Sequence, residues 1–95
     1  MIGTKEMNRD KQSIEFAIKN KIIEIAKRMG DDASDLQTHD IIPATGLIDS
    51  AGLLELIAWY EDHYQIRLAQ EEITIDNLGT LSSMAAFALR HIAQV

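Results

Sequence analysis

The stretch GLIDSAGLLELIAWYEDHY runs from Gly46 to Tyr64 and reads as a turn followed by one amphipathic helix. At 100° per residue, Ile57, Tyr60 and Tyr64 fall within about 40° of Leu53, with Leu56 about 60° to one side. That is a core face, and it places a helix over about Ser50–Tyr64. The other side carries Ala51, Leu54, Glu55, Ala58, Glu61 and Asp62, a mixture of small, apolar and acidic residues. Such a face suits a solvated surface with one stray leucine. It equally suits a docking strip, where Leu54 between two alanines admits a partner and the carboxylates meet its Lys or Arg. Ser50 opens the helix directly after Asp49. Serine there is a preferred N-cap, worth about 1 kcal/mol. A serine oxygen at a helix start also stands beside unpaired N–H groups and the positive end of the dipole, where a phosphodiester is stabilised. On these residues alone both readings stand.

Outward from this helix the pattern stays helical. Ile14, Ile18, Ile22, Ile25 and Met29 form a stripe that predicts a helix over about Ser13–Met29, with Ser13 as N-cap and Gly30 at the C′ position. Phe16 and Ile23 lie off that stripe. Residues 30–49 read as a long connection, anchored by Leu36, Ile41, Ile42, Leu47 and Ile48 and broken by Pro43 and Gly46. A connection near 20 residues is unusual in a small domain and is often functional. After Tyr64, a short helical turn is expected near Asp76–Gly79 with Asp76 as cap. A last helix, capped by Thr80, is expected to bury Leu81, Met84, Ala85, Ala88 and Ile92. The alternating QIRLA segment (65–69) would be a strand without a partner and is rejected. The expected fold is all-α: a small four-helix bundle of three main helices and one short one. A flexible N-terminus is expected over 1–12 and one folded domain over 13–95.

Composition narrows the function. The chain has 95 residues, no cysteine and a formal net charge of −6. One modest core fits that length, and a large enclosed active-site cavity does not. Without cysteine there is no disulfide, thiolate metal site or thiol nucleophile. His39, His63 and His91 lack ligand spacing. Ser50 lies in GLIDSAG, which is not the G-x-S-x-G of a hydrolase elbow. Residues 1–28 hold seven of the nine basic groups and four acids, a balance of +3, against −9 over 29–95. No expected helix is a basic recognition helix, so nucleic acid is not an expected partner. No membrane span or signal peptide is expected, which makes a cytoplasmic protein the default.

The stretch Gly46–Tyr64 resembles the phosphopantetheine attachment region of acyl and peptidyl carrier proteins. In that family an Asp-Ser pair begins the second helix of a four-helix bundle, and Asp49-Ser50 match it. Glu55-Leu56 match the Glu-Leu five and six residues after the serine, Glu61-Asp62 the acidic pair near the helix end, and Tyr64 the closing aromatic. EEITIDNLGTLSSMAAFAL (71–89) is similar to the family's short third helix and its last helix. Two positions depart: Ala51 stands where Leu or Met is usual, and Gln65 where Gly often follows the aromatic.

The resemblance implies a freestanding carrier, not an enzyme, with 4′-phosphopantetheine attached to Ser50 and an acyl or aminoacyl thioester on its thiol. It implies Asp49 at the serine end and Ala51, Leu54, Glu55, Ala58, Glu61 and Asp62 facing partners. Those partners would be a phosphopantetheinyl transferase, a loading ligase and downstream acyl-processing enzymes, met by a monomer. No metal site is implied on the chain itself. The alternative is a small acidic helical interaction module without a prosthetic group.

Overall fold

Ile14, Ile18, Ile22 and Ile25 are buried on one stripe of the first helix, α1, which spans Lys11–Arg28. The computed structural model describes residues 10–93. Most of the N-terminal stretch expected to be flexible, residues 1–9, lies outside the described residues. Helix α1 starts two residues before the expected point. Asp10 is extended, and its carboxylate accepts the Ser13 N–H at 2.7 Å. Asp caps as well as Ser does, and a cap at 10 lets Lys11 and Gln12 join the helix. At the other end Met29 leaves the stripe and is 42% exposed, because it is the C-cap residue. Gly30 follows with φ +85°, the left-handed backbone expected of a C′ glycine. Ile23 packs against the edge of the core, whereas Phe16 stays exposed.

The connection after α1 is anchored by buried Leu36, Ile42 and Ile48, joined by Ala33. Ile41 is exposed and Leu47 half-buried, so two of the five expected anchors are weaker. The connection also contains a helical turn that the residue pattern did not announce, α2, over Ile42–Thr45. Pro43 near its start lacks only an N–H that a first turn leaves unused. Gly46, left-handed at φ +74°, ends it. The Ile42 N–H donates to the Gly79 carbonyl at 2.7 Å and ties α2 to the far side of the chain.

Helix α3 spans Ser50–Tyr64, as expected, and buries Gly52, Leu56, Tyr60 and Tyr64, with Leu53 and Ile57 half-buried. It ends at Gln65, left-handed at φ +54° without being glycine. A side chain in that region costs about 1–2 kcal/mol, and the Gln65 amide partly offsets this by donating to the Asp62 carbonyl at 2.7 Å. A 3-10 turn (Gln70–Glu72) and helix α4 (Ile75–Leu78) follow. The α4 cap is Thr74, not Asp76: the Thr74 hydroxyl accepts the Asn77 N–H at 3.1 Å. Asp76 sits instead in the first turn, where its charge suits the dipole.

The last helix, α5, spans Leu81–Ala93. Thr80 is its reciprocal cap: its hydroxyl accepts the Ser83 N–H at 2.9 Å, and Ser83 Oγ accepts the Thr80 N–H at 3.1 Å. Leu81, Met84, Ala85 and Ala88 are buried as expected, with Phe87 added and Ile92 only half-buried. Among the described residues no strand forms. The fold is an all-helical bundle with α1, α3 and α5 as main helices, and no described helix is long and apolar enough to cross a membrane.

Gly52 sets how closely α1 and α3 approach. A Cβ there would stand 2.9 Å from Ile25 Cγ2 and 3.2 Å from Ile48 Cβ. Gly52→Ala gains helix propensity but overpacks two branched side chains, which costs about 1–3 kcal/mol. We expect net destabilisation, read as a lower urea midpoint. An unchanged or higher midpoint would mean that the two helices separate freely.

Candidate functional site

Ser50 is the first residue of α3 and is exposed. Its neighbours on both sides are pinned. Ile48 is buried in the core, and Gly52 is packed beneath Ile25. Before them, Thr45 Oγ1 donates to the Ile42 carbonyl at 2.7 Å and accepts the Leu47 N–H at 3.1 Å. The serine therefore sits at the end of a braced connection.

The helix start is capped by Asp49, not by Ser50. Asp49 is extended, and its Oδ1 accepts the Gly52 N–H at 2.8 Å. Its carbonyl accepts the Leu53 N–H at 2.8 Å. The role that competes with chemistry at Ser50, that of capping serine, is thus carried by the residue before it. Ser50 Oγ is left at the surface beside the N–H groups and positive dipole end of a 15-residue helix.

The six residues expected on the outer face of α3 are there, in three different states. Ala51, Ala58 and Asp62 are exposed, and Leu54 is 68% exposed. Glu61 is half-buried, and its Oε2 accepts the Leu68 N–H at 2.9 Å, pinning the segment after α3. Glu55 turns toward α1. Arg28 donates to its Oε2 at 2.5 Å, and Lys21 Nζ stands 3.7 Å from the same oxygen while pairing with Glu24 at 3.3 Å. Two of the basic residues of α1, Lys21 and Arg28, therefore meet an acid on α3.

Arg28, through that bond, holds the Glu55 carboxyl below its ordinary value, with Lys21 adding to the effect. A carboxyl lowered on folding stabilises the fold at neutral pH. That contribution fades as pH falls below about 4.5 and through the lower folded value. In Arg28→Ala the Glu55 titration midpoint, followed by NMR at the side-chain carboxyl, is expected to rise. An unmoved midpoint would mean that the pair does not form in solution.

Behind this face lies an apolar cavity of about 130 Å³ between α2, α3 and α4, lined by Pro43, Leu53, Leu56, Ile57, Ile75 and Leu78 among others. Trp59 is half-buried on another side of α3, with its ring stacked on His63 at 4.7 Å. Two positions that shape the site did not stand out in the residue pattern. Gly52 carried a signal, since a glycine inside an otherwise helical run marks close packing. Arg28 carried none, because its partner is 27 residues away on another helix.

The chain is similar to a D-alanyl carrier protein of Streptococcus sanguinis (strain SK36), with 34% identity over 68 residues, 70% of this chain and 85% of that protein. No family model matches the chain, and no solved structure does.

Proposed function

The chain belongs to the acyl and peptidyl carrier protein family, a family of carriers and not of enzymes, and from that premise we propose that it tethers an aminoacyl group on 4′-phosphopantetheine borne by Ser50. The observation that carries the assignment to Ser50 is the Asp49 cap. An exposed serine at a helix start, relieved of capping, has a hydroxyl free to become a phosphodiester.

The residues around it fit such a group. The first-turn N–H groups and the dipole of α3 favour an anion there. Asp49 holds the helix start rigid through Gly52, so the hydroxyl is presented in one place to a Mg²⁺-dependent transferase using coenzyme A. When bound, the group supplies the thiol that a cysteine-free chain lacks and holds the cargo as a thioester. Ala51, Leu54 and Ala58 offer partners a low apolar strip, and Glu61 and Asp62 an acidic end. Docking of this kind is salt-sensitive and short-lived, as suits a protein that must leave each enzyme. The transferase, a loading ligase and the enzymes that take the cargo onward are its partners, met by a cytoplasmic monomer.

One observation favours a small aminoacyl cargo over a long acyl chain: the relative is named for a D-alanyl group.

The test is intact-protein mass after incubation with coenzyme A, Mg²⁺ and a broad-specificity phosphopantetheinyl transferase. The expected result is a gain of one phosphopantetheine group, located on the peptide that contains Ser50. No gain by folded, initially unmodified protein with several transferases would overturn the reading. The outer face of α3 would then be read as the surface of an interaction module.

A further inference from the structure

The outer face of α3 is not uniformly acidic. At the Ser50 end Asp49 caps the helix through the Gly52 N–H, and the next carboxylate along the face, Glu55, lies between two cations from α1. With Glu24 on Lys21, the four charges form a chain, Glu24–Lys21–Glu55–Arg28, whose sum is zero. Its members are unequally placed. The Lys21 side chain is only 16% exposed, whereas that of Arg28 is 56% exposed and that of Glu55 39%. What solvent meets beside the start of α3 is therefore a guanidinium lying on a carboxylate. Farther along the helix, Asp62 is exposed, with no ion pair among the described residues. It lies twelve residues beyond Ser50, about 18 Å along the axis. Between them stands Leu54. Beyond the capping Asp49, the strip is charge-balanced at Glu55, apolar at Leu54 and acidic at its far end.

We propose that Arg28 is a specificity-determining residue of the docking face: by occupying Glu55 it disfavours partners that place a base opposite that carboxylate. It selects partner proteins that set an apolar socket over Leu54 and a base opposite Asp62 rather than opposite Glu55. The proposal rests on the carrier reading above. A base approaching Glu55 must compete with Arg28 and meets the guanidinium's like charge. A base opposite Asp62 meets a free carboxylate. Screening over about 10 Å at 0.1 M salt keeps the two ends electrically distinct. Arg28 acts on docking through Glu55 and is a positioning residue, not a catalytic one.

The test is the rate of phosphopantetheine transfer from coenzyme A to the full-length chain by a broad-specificity transferase, with KM and kcat separated, at low and at 0.2 M salt. Arg28→Ala leaves Glu55 with Lys21 alone, which is shared with Glu24. It is expected to lower KM for the carrier about two- to fivefold at low salt, the range of one exposed charge pair, with kcat unchanged. Arg28→Lys should keep the wild-type KM. The double variant Arg28→Ala/Glu55→Gln has the wild-type net charge and should lose the gain. Lys27→Ala removes a neighbouring cation that holds no ion pair among the described residues and should shift KM less than Arg28→Ala does. Asp62→Asn should raise KM. The proposal is overturned if Arg28→Ala changes melting temperature but not KM, if the gain survives in the double variant, or if Lys27→Ala reproduces it. Wild-type protein that takes up no phosphopantetheine at all would remove the carrier reading itself, a result distinct from uptake with an unresponsive KM.

Discussion

Ser50→Ala is expected to lose all phosphopantetheine uptake while keeping its fold. A purely structural serine would show the reverse pattern, a measurable loss of stability with function intact. The two readings separate here because the cap belongs to Asp49, whose Oδ1 holds the Gly52 N–H. Removing the Ser50 hydroxyl takes nothing from that bond. Its side chain is exposed at the first helical position, where alanine is well tolerated. Stability should therefore stay within about 0.5 kcal/mol of wild type. Asp49→Ala is the counterpart. It removes the cap and should cost about 1 kcal/mol, read in urea unfolding, with Ser50 still present to be modified. The pair of variants assigns chemistry to one residue and architecture to its neighbour. Uptake surviving in Ser50→Ala, located on another hydroxyl, would move the attachment site. A stability loss in Ser50→Ala as large as that in Asp49→Ala would return the cap to Ser50.

Tyr60→Ala carries the largest expected stability effect. Tyr60 is the largest fully buried side chain in the core. Its hydroxyl donates to the Met84 carbonyl at 2.7 Å, joining α3 to α5, and its ring meets Tyr64 edge-on at 5.7 Å. Burial pushes the hydroxyl well above its ordinary value, so it remains a donor throughout the neutral range. Truncation to alanine removes the ring, the bond and the edge contact, and leaves a cavity in the core beside α5. The cost for a buried aromatic is about 3–5 kcal/mol. For a domain of this length that corresponds to a fall in melting temperature on the order of 20 °C. Tyr60→Phe keeps the ring and should cost only about 1 kcal/mol. Thermal melts of the two variants check both terms. A fall below about 5 °C for Tyr60→Ala would mean that the core closes over the gap.

Much of the site was legible in the residues because its main element is locally encoded. Leu56, Tyr60 and Tyr64 recur at helical spacing and are buried together, and the bounds of α3 follow from Asp49 at one end and the break after Tyr64 at the other. The same spacing put Ile14, Ile18, Ile22 and Ile25 in the core. Its errors lie at the ends of elements. Asp10 displaced Ser13, Thr74 displaced Asp76, and Asp49 took the cap that Ser50 could have filled. Ser, Thr, Asp and Asn are near-equivalent caps, so which one serves depends on the backbone angles at a single residue, and those follow from packing. Helix α2 is a similar case. Four residues are too few to show a period, and its position depends on the Ile42 bond to Gly79 across the fold.

An all-helical domain, the face of α3 that enters the core and the serine at the start of that helix are written in the residue order alone. Periodicity records which side of a helix is apolar, and that information is local. What the polar side does is settled by packing between helices. Tertiary packing set Arg28 and Lys21 on Glu55, Glu61 on the Leu68 N–H, and left Asp62 and Leu54 to solvent. Those outcomes depend on which helix lies alongside and at what distance, which is fixed by the closeness that Gly52 permits against Ile25. A charge pattern on one helix cannot specify its partners on another until packing has brought the two together.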